Sequence, residues 1–380
     1  MLPFGRMLEY GNIKPTNKPI RKVDGGWMHW VVLYEDGSLY GIGYNNSNQL
    51  RNCPVQFQYG SFVLLGTGVK DVWCGHASTI IHLESGLYIF NGNYNCLGTS
   101  TVADTLSTLG GDNITSTMPA YSSIDKLSIG LNSCHYIHSG NKRVYSRGWN
   151  TDGTVGNGNV SRVSSFTNTS TVQFKDVHAG QFSTIYKGLN DNSIYGSGKS
   201  QYGELGRGIV ANSITKLDPG PSTLDFTACD TCTIVYNPAR TYVVAGWQNQ
   251  GQLANGQSAN QSLTSFYVQS TLTANQVVKG CRIRGNGSLR TLIYDGSNFY
   301  ASGAIGGTGL PTLTVYYTQI PSLNGIQIDA SKVNIIGGQS GWTLVFTGTE
   351  IYGSGGNSNL LPGKPNGNTQ DNIFTKIELP

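Results

Sequence analysis

A short phrase recurs seven times along the chain and limits the possible folds more than any other feature. Its fourth copy reads Ile194-Tyr195-Gly196-Ser197-Gly198, followed by Ser200, Gly203, Leu205 and Gly206. The other copies are anchored at Tyr40, Tyr88, Tyr145, Val243, Tyr300 and Tyr352, so successive copies stand 48 to 57 residues apart. A fixed period of that length is one propeller blade or one solenoid unit, and is too long for a helix pair.

Each unit also has a regular first half. A small residue stands ahead of the anchor at Gly26, Gly75, Gly130, Gly180, Cys229, Gly285 and Gly338. An apolar residue precedes it by three positions in most copies (Val23, Val72, Leu127, Val177, Phe226, Ile335), and His29, Ser78, Ser133, Ser183, Cys232, Ser288 or Gly341 follows it by three. One unit therefore reads strand, Gly turn, strand, hairpin turn, strand, Gly loop and a looser fourth strand. The hairpin turns are clearest at Glu35-Asp36-Gly37-Ser38 and Asp295-Gly296-Ser297, with residues that tolerate positive φ. Four antiparallel strands repeated seven times predict an all-β fold, a seven-bladed β-propeller. The inner Gly positions follow from crowding near a central channel, where a residue without Cβ lets backbones approach.

The chain end, Ile373-Phe374-Thr375-Lys376-Ile377-Glu378-Leu379, looks like Ser265-Phe266-Tyr267-Val268 at the fourth-strand position of the fifth unit. The first unit shows no fourth strand of its own. The expectation is that Phe374 to Leu379 completes the blade holding Leu39-Tyr40 and so closes the ring. Residues 21–380 then form the propeller, and residues 1–20 form an extended N-terminal arm. The stretch from Gly98 to Ile124 reads as a surface loop.

Composition narrows the function. Charged residues are 12% of the chain and the net charge is +4. No Lys/Arg cluster exceeds a pair, which speaks against nucleic acid as partner. No run of 18 apolar residues occurs, so no membrane span is expected. Met1 to Arg6 lacks an apolar signal region, so no secretory signal is expected. Seven cysteines, at 53, 74, 96, 134, 229, 232 and 281, do not recur at matched positions and read as reduced thiols. Cys229 and Cys232 have redox or zinc spacing, but no second pair accompanies them, and they read as structural thiols too.

The pattern Gly-x-Asn-x-x-Gly-x-Leu after a strand, repeated about every 50 residues, resembles the RCC1 family of seven-bladed propellers. The family's Asn position is met by Asn45, Asn93, Asn150 and Asn357, with Gln248 and Ser200 as near equivalents. Its Gly-x-x-His motif is met only at Gly26 and His29. The resemblance covers roughly residues 21–380 and implies the fold. Its members include a nucleotide exchange factor for a small GTPase, chromatin binders, ubiquitin-ligase modules and a light receptor with a Trp cluster. The wedge and acidic loop of the exchange factor have no counterpart placed here. The six Trp residues do not form dense Trp-Gly runs.

Chemistry is sparse. The six His residues are scattered, no His-Glu-x-x-His occurs, and no acid pair, triad or metal set stands out. His76 and His178 flank the inner Gly residues and read as hydrogen-bonded structural groups. No cofactor is expected and the chain reads as non-enzymatic. Tyr44, Trp149 and Trp247 directly follow the repeat Gly at loop starts, where they either anchor an interface or pack on the next blade. The arm carries Phe4, Met7, Leu8 and Tyr10, apolar side chains suited to a partner surface. A polar, charge-poor surface, free thiols and no leader together predict a bacteriophage virion component. It would be tail-associated, docked by its arm onto other subunits, with a host surface receptor as a further partner. The alternative is a cytoplasmic RCC1-like regulator binding a small GTPase or chromatin.

Overall fold

A computed structural model describes residues 18–50, 58–99, 111–208, 210–217, 225–237, 242–269, 277, 279–284, 290–304, 308–338, 341–355 and 373–380. The arm residues Phe4, Met7, Leu8 and Tyr10 lie outside the described residues.

The chain is an all-β propeller with four-stranded blades. The first repeat shows the pattern with strands Ile20–Gly25, His29–Tyr34, Leu39–Tyr44 and Gln58–Gly66, paired in that order. Ile20 already belongs to the first strand and is buried. The second, third, fourth and sixth repeats each form a sheet of the same order. The first strands of most successive repeats lie beside one another around the axis. Apolar side chains fill the gaps between sheets: Val31, Leu33 and Leu39 of the first repeat pack with Val72, Cys74 and Ile81 of the second.

Local chemistry explains the turns. Gly37 has φ 79° in the first hairpin, and Asp36 Oδ1 accepts from the Ser38 amide at 2.9 Å. At the axis, a Cβ on Gly26 would lie 2.2 Å from the Gly75 carbonyl oxygen, and one on Gly130 would lie 2.2 Å from that of Gly180. Neighbouring inner turns touch backbone to backbone, as the Gly pattern predicts. The repeat Asn positions cap the following loop: Asn45 Oδ1 accepts from Leu50 N and Asn150 Oδ1 from Val155 N at 3.0 Å.

Four expectations need correction. Among the described residues, five separate four-stranded sheets form, while the fifth and seventh repeats share one nine-stranded sheet, so seven separate blades are not observed there. The cause lies in the sixth repeat. After Lys279–Gly280 pairs within its own sheet, Arg282–Arg284 moves inward and pairs in parallel with Ala228–Cys229 on one side and Ile336–Gly338 on the other. Second, the C-terminal strand does not complete the first blade, which has Gln58–Gly66. Thr375–Lys376 pairs with Tyr352–Gly353 of its own repeat. Closure is by packing: Ile377 shares a core with Ile20, Val23 and Trp30, and Tyr34 donates its hydroxyl to the Pro380 carbonyl at 3.2 Å. Third, Cys229 and Cys232 form a disulfide rather than two reduced thiols. They end one strand and begin the next across a tight turn, which brings the two sulfurs together. Cys74, Cys96, Cys134 and Cys281 are buried. Fourth, the stretch after Gly98 is not all surface loop, because Asp112–Asn113 pairs into the second sheet and Ile114 is fully buried.

Candidate functional site

The two ends of the propeller differ, and the strand directions say why. In the first five repeats each inner strand runs into an inner turn, so these turns gather at one end of the axis. The loops that follow the third strands return to the same end. One backbone bond ties loop to turn in five repeats: Tyr44 N to Met28 O, Asn93 N to Ala77 O, Trp149 N to Asn132 O, Lys199 N to Phe182 O, and Trp247 N to Thr231 O, all 2.8–3.0 Å. This loop face is thus fixed to the rigid inner ring.

The inner turns also meet across the axis. The Trp27 ring stacks on His76 at 4.8 Å, and His76 Nε2 stands 3.9 Å from Asp230 Oδ2. His76 belongs to the second repeat and Asp230 to the fifth, so this contact spans the channel. Asp230 Oδ1 also accepts from the Gln181 amide of the fourth repeat at 2.9 Å.

The aromatic loop starts differ among themselves. Trp247 stacks on Tyr202 of the preceding repeat at 5.6 Å and donates Nε1 to Asn260 Oδ1 at 2.8 Å. Tyr44 is half-buried. Trp149 is 36% exposed, with the Arg162 guanidinium 5.4 Å from its ring centre. Its amide is held by Asn95 O as well as Asn132 O. The sequence thus offered three equivalent positions, and of these Trp149 is the most exposed, on a fixed backbone.

The histidines tie repeats together. His29 Nε2 is 3.1 Å from Thr79 Oγ1 of the second repeat. His135 lies within 2.8–3.2 Å of Ser133, Ser146, Thr184 and Tyr186, across the third and fourth repeats. Burial pushes its pKa down to about 3, so it is a neutral hydrogen-bonding group. Among the described residues, no group of three His, Cys, Asp or Glu could hold a metal ion. No helix among them is long and apolar enough to cross a membrane.

The opposite end holds a feature the sequence reading missed. The inner strands line a cavity of about 340 Å³, with Lys22, Asp71, Lys126, Asp176, Lys279 and Arg282 among its walls. Arg282 is its centrepiece, bonded to Asp176 at 3.2 Å and Asp225 at 3.5 Å, with its guanidinium 4.0 Å from the Phe226 ring centre. Burial works against the charge on Arg282, but Asp225 and Asp176 outweigh it and raise its pKa. Burial alone would raise Asp176; Arg282, Lys279 and Lys126 reverse this and hold its carboxyl below the usual value. Burial and the nearby Arg282 push Lys279 down. Burial also brings Lys187 down to about 8, with Asp225 opposing. A signal was present: in a chain only 12% charged, charges recur at the start of the inner strands.

No family model matches the sequence, and no curated protein matches it. Solved structures do match in fold. Human WBSCR16 aligns with TM-score 0.66 and 14% identity over 86% of each chain. Prp20p from Saccharomyces cerevisiae aligns with TM-score 0.64 and 12% identity, over 84% of this chain and 80% of that one. Yeast RCC1 (Prp20) bound to Kap60 aligns with TM-score 0.61 and 12% identity, over 95% of this chain and 75% of that one. The structural neighbours are RCC1-like β-propellers. At these identities the likeness is one of fold.

Proposed function

We propose that the chain is a non-enzymatic interaction protein whose loop face binds a protein partner. The observation that carries this is Trp149: a partly exposed indole on a backbone held from two sides, with an arginine against its ring. A large amphipathic ring fixed before binding loses little entropy on association and suits a binding anchor. The mixed charges of the opposite end, most of them internally paired, fit a protein partner better than nucleic acid. Proteins of the same fold bind proteins: Prp20p is described with Gsp1p and histones, and is seen with Kap60.

The ring itself is read as seven blade units, with the nine-stranded sheet as two blades bridged through Arg282–Arg284. The assembly we favour is a virion, with the chain tail-associated, made in a host cytoplasm and docked by residues 1–20. Composition supports this through the low charge of the chain. A cytoplasmic regulator of a small GTPase fits the fold equally well. The deciding experiment isolates the tagged chain from its native source under mild conditions and compares wild type, Trp149→Ala and a chain lacking residues 1–15. Loss of the co-isolated proteins in Trp149→Ala, at an unchanged melting temperature, supports the loop face. Their retention in that variant refutes it. Sedimentation of the wild-type chain with virus-sized particles separates the virion reading from the regulator reading.

A further inference from the structure

The fourth repeat departs from its neighbour at one buried position of the loop face. In the fifth repeat Gln252 holds its loop through both ends of the amide. Its Oε1 accepts from the Asn249 and Gln250 amides at 3.2 and 3.0 Å, and its Nε2 donates to the Trp247 carbonyl at 3.1 Å. Gln49 stands at the same position of the first repeat and accepts from the Ser47 amide at 3.0 Å. The fourth repeat has Glu204 there, fully buried. Glu204 Oε2 accepts from the Tyr202 amide at 2.8 Å, the role of Gln252 Oε1. Its Oε1 corresponds to Gln252 Nε2 and has no hydrogen-bond partner among the described residues. In the same register, Lys199 stands where the fifth repeat has Trp247. An ionised Oε1 has no proton to give the Lys199 carbonyl, whereas a protonated one donates as the amide does.

We propose that the loop 199–206 is a pH-sensitive latch: protonated Glu204 closes it by donating from Oε1 to the Lys199 carbonyl, and ionised Glu204 loosens it and uncovers Trp247. The link to Trp247 is Tyr202, whose amide Glu204 holds and whose ring stacks on the indole at 5.6 Å. With the latch loose, Trp247 keeps its Nε1 bond to Asn260 but loses that cover. The surroundings favour the proton. Glu204 makes no ion pair among the described residues. Asp230, on the inner turn of the fifth repeat, acts on it as a like charge, and Asp230 in turn has His76 Nε2 at 3.9 Å. The Lys199 ammonium on its own loop lies over the Phe182 ring, 5.7 Å from its centre. Burial is the main cause that lifts the Glu204 carboxyl to about 7; Asp230 adds to it, and the loop amides of Glu204, Tyr202 and Gln201 oppose it. The raised value fixes the sign: the latch is fully closed below the ordinary value of 4.5 and loosens as pH rises to about 7. What this does to partner binding rests on the loop-face reading; the latch itself does not.

The test is hydrogen exchange of the full chain at pH 5.5 and pH 8.5, corrected for intrinsic exchange rates, in wild type, Glu204→Gln and Gln252→Glu. In the wild type, amides of 199–206 should lose protection by about thirtyfold between the two pH values, with the third-repeat loop 149–156 unchanged. In Glu204→Gln the same amides should stay protected at both. Gln252→Glu should carry the dependence into 247–254 of the fifth repeat. Thermal melts at pH 5.5 establish that each variant is folded. Acrylamide quenching of Trp247, read as the difference between each chain and its Trp247→Phe counterpart, should rise with pH in the wild type and not in Glu204→Gln. Protection of 199–206 that does not change with pH in the wild type overturns the proposal. So does an equal pH dependence in Glu204→Gln, or a loss spread evenly over the chain. These readouts need no partner, so the latch can fail while the loop-face reading stands, and the reverse.

Discussion

In the first four repeats each sheet stops at its own four strands, and neighbours are joined by side chains, close glycine contacts and isolated backbone bonds between turns and loops, such as Trp27 N to His76 O at 2.9 Å. In the last three, inner strands hydrogen-bond directly across the seams through Arg282–Arg284. The same contrast appears in two buried arginines. Arg147 reaches back across its seam to the Leu97 carbonyl at 2.8 Å and the Thr117 carbonyl at 3.3 Å. Arg290 donates to Thr343 Oγ1 at 2.8 Å and Gly338 O at 3.0 Å, in a sector already stitched by backbone bonds. Where the sequence keeps glycine at the inner turn, backbones touch and share single turn bonds but form no strand ladder. Where it departs from that, with Cys229 and Arg282, they pair.

The seam between the last repeat and the first is of the first kind: a Cβ on Gly338 would collide with the Trp27 carbonyl, Asn334 Nδ2 donates to Val23 O at 3.2 Å, and the tail adds the packing of Ile377 and the Tyr34–Pro380 bond. Deleting residues 373–380 should cost most. Phe374 and Ile377 are both buried, and two such side chains contribute roughly 5 kcal/mol. Chemical denaturation checks this, and an unchanged midpoint would mean that the tail takes no part in closure.

Arg147→Ala should cost about 4 kcal/mol, because it empties a buried volume and leaves two seam carbonyls without their donor. Hydrogen exchange should speed up locally between the second and third repeats. In Arg290→Ala the backbone pairing should keep that seam protected. Equal loss of protection in the two variants would erase the distinction between sectors.

Glu204 separates the sectors by pH. It sits fully buried in the fourth repeat where the fifth has Gln252, and burial raises its pKa from 4.5 to about 7. A raised carboxyl is fully compatible with the fold below pH 4.5 and loses that stability as pH rises through 7. Glu204→Gln should therefore stabilise by up to about 3 kcal/mol at pH 8 and be neutral at pH 4. Melting temperatures across that range test the sign, and a larger gain at pH 4 would contradict it.

Reducing the Cys229–Cys232 bond, or replacing both residues by Ser, should cost about 2 kcal/mol, since so short a loop restrains the unfolded chain little. A melt with and without reductant measures it. The smallest effect concerns Gln248, which is buried with neither amide atom bonded among the described residues, while Gln252 binds the loop amides of Asn249 and Gln250 instead. Gln248→Asn should restore the repeat cap and gain up to about 1 kcal/mol; a loss of similar size would show that the longer side chain fills space there.

The blade pattern was legible because glycine positions and apolar spacing are local consequences of strand and turn geometry. The end of the ring was not. Ile373 to Leu379 resembles every outer strand, and only two residue pairs fix its partner. Gln58–Gly66, rich in apolar and aromatic residues, could have been read as the first repeat's own outer strand. The disulfide was hidden by an odd cysteine count, which favoured free thiols over spacing. The cavity gathers residues from distant repeats, one or two each, so no motif announces it. Trp149 was legible as a position; that Trp247 would be covered by Tyr202 depends on a neighbour from another repeat.

The central claim is a rigid ring that meets its partner by the loop face. Hydrogen exchange on the chain, alone and within its native complex, tests this directly. The account predicts slowing between Trp149 and Arg162 on complex formation, with the outer strands Gln261–Gln269 and Thr314–Gln319 unchanged. Slowing confined to those outer strands, where Tyr267 and Tyr316 are exposed, would place the partner on the rim and contradict it.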